Sequence, residues 1–594
     1  MSKTKIIFSD NLHFHERNFK SLFEYIHSNK IEHTFMNPYK PMLSAFGNYY
    51  QFNDIIASHR YLIENLDCEQ LIDFSYKGIS VFSTCKAELL AYLLPRFNWR
   101  NDEIFNIDKE IIEKSFSQNY EDLINNMAAT IYWIDFWYEE LDKYKIHDFC
   151  CVFSGSNIYS NTLLQILKTH VTTPLVLESF FTGNDYYLEK KYESLPNNSD
   201  LRFKTVFESY EIPTDCYEYN KLKNKAINKI ISANNKNVKQ PEVDADDIYA
   251  SLSNYILIGG QVLNDYSTIT TQYQLNSIKT YISVIRTLLK YTDFDIVFKA
   301  HPWEEKKNNI RSPLTYNEIK KFKDNLSQES QSRLHLLNHS NLNTLIKNAS
   351  GFITICSQSA LEAAYSGLKP IVIGSAFFDG YGFTSNYKTA NDFNVAQRDK
   401  LVSYVMSLNE YLAYERFIIV SLCMHLVSVH RSGSIRLSEI FDKTHFVKAL
   451  GSNIEKSIIE NNTSEKNEIN SIKDTDIVEQ VSNIVKLQLK DNERGLDGKI
   501  TNLDFKIEKI ISDLNKSNTN SVSSHSGNSI ERLPKRNKVI KSKIIKIEES
   551  IVKTIGTNRL YQKYSKHRKT FFEDVKNPVV IAYWERIGKD LDSQ

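Results

Sequence analysis

DIVFKAHPWEEK, residues 295–306, is an apolar run that stops abruptly in polar chemistry. Ile296, Val297 and Phe298 suit a buried strand, and Lys299, Ala300, His301 and Pro302 follow at once. In an open α/β sheet, ligands bind at the carboxyl ends of the strands. A lysine and an imidazole at such an end suit an anionic group. Pro302 has no N–H with which to continue a ladder, so the chain must turn where those side chains emerge.

The same pattern recurs on both sides of this stretch. Apolar runs read NYILIGGQ (254–261), RLHLLN (333–338), SGFITICS (350–357) and KPIVIGS (369–375). Helical patterns, NSIKTYISVIRTLLKY (276–291) and ALEAAYSG (360–367), separate them. Continuous apolar strands alternating with helices predict a parallel sheet buried on both faces. The first half repeats the series with KIIFSD (5–10), an amphipathic stretch from Glu16 to about Asn29, FCCVFSGSN (149–157) and TPLVLESFFTG (173–183). Ser-Gly-Ser-Asn at 154–157 suits the start of the helix that IYSNTLLQILKTH (158–170) predicts. Long aromatic helical segments fill about 120–145.

The reading is therefore α/β, with two doubly wound Rossmann-type domains facing a cleft. Residues 1–245 form the first domain and 246–452 the second, joined through a charged, Asn/Lys-rich segment ending in KQPEVDADD (239–247). Residues 453–530 read as a helical or coiled arm with a flexible linker, and 531–594 as a basic-aromatic tail. A chain of 594 residues is too long for one ordinary domain, which agrees with this division.

Lys+Arg total 73 and Asp+Glu 72, and this balance argues against a dedicated nucleic-acid binder. The seven cysteines show neither CxxC nor Cys/His ligand spacing, so neither a zinc site nor a disulfide framework is expected, and a reducing cytosol fits. MSKTKIIFSDN lacks the apolar stretch of a signal peptide, and no run of 18 apolar residues suggests a spanning helix.

Candidate chemistry gathers at the strand ends. Glu178 ends PLVLE, Asp265 lies just beyond LIGGQ with its Gln261, and Lys299 and His301 end IVFKAH. In a doubly wound arrangement these positions line one cleft. Ser357 and Ser359 begin the helix after ITIC, with Glu362 inside it. Hydroxyls and free N–H groups there predict an anion cradle, with phosphate the natural occupant. Each strand-end residue alone reads more readily as the cap of a turn, and the serine stretch equally as an ordinary N-cap; the shared position of Glu178, Asp265 and His301 at strand ends shifts the balance. Asp293-Phe294-Asp295 matches a metal-binding Asp-x-Asp, but it precedes its strand and so lies at the wrong end of the sheet. His13 and His15 of LHFH, after the first strand, are weaker candidates for an acceptor site.

Glu178 within ESFFTG, then GGQVLNDYS, KAHP, and SQSALEAAYSGLKPIVIG followed by FFDGYGFT, resemble in order the bacterial capsule polysaccharide biosynthesis family, over roughly residues 150–390. That family includes Kdo transferases. The resemblance implies a GT-B glycosyltransferase that needs no metal and no cofactor beyond a nucleotide-sugar donor, CMP-linked Kdo or a related acid. By motif position Asp265 matches the catalytic carboxylate, proposed as nucleophile in retaining members, and Glu178 its acid/base partner. His301 would meet the donor phosphate or sugar carboxylate, with Ser357, Ser359 and Glu362 placing the nucleotide. Cys356-Ser357-Gln358-Ser359-Ala360 departs from the family's commoner Asn-Ser-Thr-like start, and Lys-Ala-His-Pro from Lys-Pro-His-Pro.

The implied partners are a nucleotide sugar, a lipid-linked or polysaccharide acceptor, and capsule assembly or export proteins. NRLYQKYSKHRKTFFEDVKNPVV (558–580) mixes cations with aromatics and suits anionic lipid headgroups, which implies a cytoplasmic protein peripheral to the inner membrane. Alternatives are a transferase or polymerase using CMP-sialic acid or CDP-glycerol, and a non-catalytic assembly or export factor.

Overall fold

The computed structural model describes residues 4–441 except 101–106, 145–146, 234–251, 253, 271–275, 308–309 and 431–434. Strands run in chain order β1 (Lys5–Phe8), β2 (Glu32–Phe35), β3 (Ser75–Tyr76), β4 (Ile79–Ser80), β5 (Phe149–Phe153), β6 (Thr173–Ser179) and β7 (Asp185–Glu189). A second series follows: β8 (Tyr255–Gly259), β9 (Asp295–Lys299), β10 (Leu334–Leu337), β11 (Gly351–Ile355), β12 (Ile371–Ile373), β13 (Ser385–Tyr387) and β14 (Val427–Ser428).

The second series builds a six-stranded sheet in the order β10-β9-β8-β11-β12-β13. Every neighbouring pair in it is parallel. The order runs outward from β8 in both directions, which is the doubly wound Rossmann pattern, and it reverses between β8 and β11. The β-branched runs of β8, β9 and β11 are buried on both faces because helices cover both. The helix Ser277–Tyr291 shows how: Ile278, Tyr281, Val284, Ile285 and Leu288 form one buried stripe, and the Asn276 side chain caps its start by accepting the Lys279 N–H at 3.1 Å.

The first sheet has the order β14-β7-β6-β5-β1-β2. Strands β2, β1, β5 and β6 are parallel, and β7 and β14 are each antiparallel to their neighbours. Between β2 and β5 the chain makes a long, mostly helical excursion that ends in the helix Tyr120–Lys143. Trp133 and Trp137 of that helix are fully buried, stack at 5.6 Å, and wedge it against the helix Ile158–Leu167.

The expected end of the second domain at residue 452 lies outside the described residues, but before it the chain already returns to the first sheet. After the helix Leu408–Ile419 a π-helical turn, Val420–His425, leads into β14, where Val427 pairs with Tyr186 of β7. A buried polar network seals this crossing. Glu189 accepts from Ser199 Oγ (2.6 Å), the Asp200 N–H (2.9 Å) and Lys191 Nζ (2.9 Å), and lies 2.8 Å from His425 Nε2. The expected boundary at 245/246, the arm at 453–530 and the tail at 531–594 lie outside the described residues. Among the described residues, no helix is long and apolar enough to cross a membrane.

Candidate active site

A cavity of about 580 Å³ lies where the carboxyl end of β6 meets the reversal point of the second sheet. Its lining includes Glu178 from β6, Gln261 and Asp265 after β8, and Lys299 and His301 from the end of β9. Ser357, Ser359 and Glu362 complete it from the segment after β11. The eight strand-end and helix-start residues singled out in the sequence thus line one space, although 184 positions separate Glu178 from Glu362.

Gly260 lets β8 and β9 approach at this point. Its N–H donates to the Lys299 carbonyl at 2.8 Å, and a Cβ at Gly260 would lie 2.8 Å from that same oxygen. The Gln261 N–H donates to Tyr281 Oη (2.9 Å), and its side-chain amide donates to Ser267 Oγ (2.7 Å). Asp265 ends this loop as a cap: its Oδ1 accepts from the Ser267 N–H (2.9 Å) and Ser267 Oγ (2.8 Å), leaving the other oxygen outside the cap.

The loop is held from two further sides. Buried Glu304 accepts from the Leu263 N–H (3.2 Å), the Thr315 N–H (2.9 Å) and Thr315 Oγ1 (2.7 Å). Asn264 Nδ2 donates to the Ala91 carbonyl of the first domain (2.7 Å), and Lys307 Nζ to the Asn264 carbonyl (3.1 Å). Glu304, Asn264 and Lys307 were not singled out in the sequence. Glu304 and Lys307 lie in the acidic and basic pairs just after Pro302, and Asn264 beside Asp265.

The electrostatics split the groups. Burial first, and then the negative charge of Asp265, push the Glu178 carboxyl up to about 8; a hydrogen bond from Ser154 opposes them. Its Oε2 is buried without a hydrogen-bond partner, so Glu178 enters neutral solution as an acid with a proton to give. Burial pushes the Lys299 ammonium down to about 8, and Nζ has no hydrogen-bond or ion-pair partner among the described residues. Lys299 is 2% exposed. Burial, then the Lys299 charge, lower His301 to about 4, against the pull of Asp265. The imidazole is therefore neutral at pH 7. The Trp303 N–H donates to its Nδ1 at 3.2 Å, which puts the ring hydrogen on Nε2. Burial raises Glu362 to about 7, opposed by a hydrogen bond from Asn343.

The anion cradle expected from free N–H groups after β11 is corrected. The Ser359 N–H donates to Ser357 Oγ (3.3 Å), and those of Ala360 and Leu361 to the Ser357 and Gln358 carbonyls (3.2 and 3.0 Å). The helix that follows, Ser359–Tyr365, has only seven residues, so its first turn satisfies itself locally. What remains for a ligand is the hydroxyl pair Ser357–Ser359, 2.9 Å apart. Cys356 before it has a left-handed φ of 29°, a strained conformation for a residue with a Cβ. Burial pushes its thiol up to about 12, so it is packed rather than nucleophilic.

Other bonds cross the cleft between the sheets. The Phe181 N–H donates to Gln358 Oε1 (3.2 Å), Tyr266 Oη to Asn157 Oδ1 (2.8 Å), and the Phe377 N–H to Asn197 Oδ1 (2.9 Å). Asp295 opens β9 at the end remote from the cavity, 3.6 Å from His335 Nε2. His15 is exposed at the start of the helix Glu16–Ser28, while His13 is held against Asp10. Neither lines the cavity. Among the described residues, no three His, Cys, Asp or Glu side chains are grouped as a metal ion needs.

With this geometry in hand, the likenesses to known proteins can be stated. Residues 163–418 match the family described as capsule polysaccharide biosynthesis protein. No curated protein sequence matches the chain. Solved structures of similar fold include the β-Kdo 2,4-transferase of Thermosulfurimonas dismutans KpsC, 16% identical over 45% of this chain and 79% of its own, with a TM-score of 0.33. The β-Kdo 2,7-transferase of the same protein is 16% identical over 47% and 79%, with a TM-score of 0.28. The UDP-GlcNAc 2-epimerase of Methanocaldococcus jannaschii is 13% identical over 71% and 99%, with a TM-score of 0.29.

Proposed function

Residues 163–418 match the capsule polysaccharide biosynthesis family, and on that likeness we propose that the chain is a glycosyltransferase of capsule or related surface-polysaccharide synthesis. Its donor is a CMP-activated 2-keto sugar acid, Kdo or a close relative, and its acceptor a lipid-linked or growing glycan. The observation that carries this reading is the convergence of Glu178, Asp265, Lys299 and His301 on one cavity at the ends of three strand segments.

Each group has a role in the transfer. Cleaving the bond from the anomeric carbon to the CMP phosphate leaves positive charge on the sugar and negative charge on the phosphate. The Asp265 carboxylate attacks the anomeric carbon, and CMP departs with the Glu178 proton. The Nε2–H of His301 and the Lys299 ammonium stabilise the departing phosphate without the reorganisation that water would need. Glu178, now a carboxylate, takes the proton of the acceptor hydroxyl as that oxygen displaces Asp265. The Ser357–Ser359 hydroxyls and the Glu362 carboxyl supply hydrogen bonds for the nucleotide. In this reading the Lys299 charge, with a hydrogen bond from the neutral imidazole, takes the part that a metal has in other transferases. The basic-aromatic stretch 558–580 supports placement at the cytoplasmic face of the inner membrane.

Incubating the purified protein with CMP-Kdo and lipid-linked acceptors tests the proposal. Sugar transfer that Asp265→Asn abolishes supports it. No transfer, together with full capsule production by a strain carrying Asp265→Asn, overturns it. Competition by CMP, CMP-sialic acid and CDP-glycerol identifies the donor class.

A further inference from the structure

The first sheet has a reversal point of its own, between β1 and β5, and it is occupied by a built polar group that the reaction above does not use. Asp10, fully buried just after β1, accepts at one oxygen from the Leu12 N–H (2.9 Å) and the His13 N–H (2.8 Å), and at the other from Ser9 Oγ (3.0 Å). His13 Nδ1 lies 3.0 Å from Asp10 Oδ1 and 3.2 Å from Tyr159 Oη. Burial alone would raise the Asp10 carboxyl, but its bond to His13 and the pull of that imidazole hold it below its ordinary value. An ionised Asp10 can only accept, so Nδ1 carries a ring hydrogen, and in the neutral ring Nε2 then keeps a lone pair.

The ring is also fixed in orientation. It stacks between Phe153 at the end of β5 (4.6 Å, 12°) and Tyr159 (5.9 Å, 14°), and Tyr159 is itself pinned where Trp137 Nε1 donates to its carbonyl (2.7 Å). The His13 side chain remains 19% exposed, so the site is accessible. Phe153 pairs with Leu177, the residue before Glu178, so the imidazole and Glu178 lie along the same carboxyl-end edge of the first sheet. Asn157, two residues before Tyr159, receives the hydroxyl of cavity-lining Tyr266, so this edge faces the second domain.

We infer that His13 Nε2 is an acceptor-binding group, receiving a hydrogen bond from a sugar hydroxyl of the glycan acceptor beside the hydroxyl that reacts. This rests on the transferase reading above. The carboxylate directly behind the ring disfavours an anionic ligand, and a lone pair at Nε2 suits a neutral hydroxyl donor. His301 is oriented the opposite way, with its hydrogen on Nε2, as a leaving phosphate requires. The two histidines thus match the two substrates: one donates to the anion, the other accepts from the alcohol.

The test uses the full-length protein, CMP-Kdo and fluorescently labelled oligosaccharides, keeping as probe one that the wild-type protein elongates. His13→Phe, which preserves the aromatic stack, is expected to raise the acceptor KM at least tenfold. CMP-Kdo hydrolysis without acceptor and the donor KM should stay within twofold, and His13→Gln, whose amide oxygen can still accept, should recover part of the loss. An acceptor KM within twofold of wild type in His13→Phe overturns the inference. So does an equal loss of transfer and donor hydrolysis, which would mark His13 as structural. A wild-type protein that elongates none of the probes overturns the transferase reading itself, and this subsite with it.

Discussion

The Trp303 N–H donates to Nδ1 of His301 across 3.2 Å and so leaves the other ring nitrogen of this neutral imidazole as a hydrogen-bond donor in the cavity. Removing a preorganised donor to a developing anion costs roughly 10²–10³ in kcat. His301→Ala is predicted to lower kcat by about that factor, and His301→Gln, which keeps a donor, by less. Steady-state kinetics of the two variants check this; equal rates in both would show that the hydrogen bond is not what matters.

Activity should fall on the alkaline side. In the proposed transfer Glu178, raised to about 8, acts as the acid, so its contribution is present below that pH and lost above it. Lys299, also near 8, loses its charge in the same window, which weakens donor binding. Lys299→Arg separates the two, because a guanidinium stays charged. The fall of kcat near pH 8 should persist in that variant, while the alkaline rise of the donor KM disappears. A pH–rate profile of each parameter decides it.

Lys299 should be costly to the fold and useful to the site. A buried ammonium without a partner opposes folding most where it is charged. Its folded value lies below its ordinary 10.5, so stability rises with pH between about 8 and that value. Lys299→Met is predicted to raise Tm by several degrees at pH 7, with a smaller gain at pH 10, and to weaken CMP binding at least tenfold. Thermal melts at the two pH values and a calorimetric titration with CMP measure both effects.

Glu304 positions Asp265 without touching the cavity's contents. Glu304→Ala strands the Leu263 and Thr315 N–H groups, each at an expected cost of about 1–3 kcal/mol. Tm should drop, hydrogen exchange at Leu263 should quicken, and kcat should fall at least tenfold with the donor KM little changed. Unchanged exchange at Leu263 would show that the loop is held by other bonds.

These predictions rest on residues of two kinds, and only one kind was legible in the sequence. Lys299, His301 and Glu178 stand out because an apolar run ends in a charge, a local signal that strand periodicity makes readable. The same signal yielded β1, β5, β6 and β8–β12. It did not yield the antiparallel β7 or the return of β14, because pairing Val427 with Tyr186 spans 241 positions and leaves no local mark. Glu304 and Asn264 escaped for the same reason, since their partners lie on other segments. The serine-led helix start was legible as a turn, but its N–H groups close on Ser357 Oγ and on local carbonyls, which no residue pattern distinguishes from an open cradle.

The most direct test of the central claim, that Glu178 and Asp265 act as one catalytic unit, is a double-mutant cycle on the kcat/KM of sugar transfer with Glu178→Gln, Asp265→Asn and both together. Groups that work as a unit are strongly non-additive. Each single variant is predicted to lose at least about a thousandfold, and the double variant no more than the worse single one. Independent, multiplying losses, or near wild-type transfer by either single variant, would contradict a shared site.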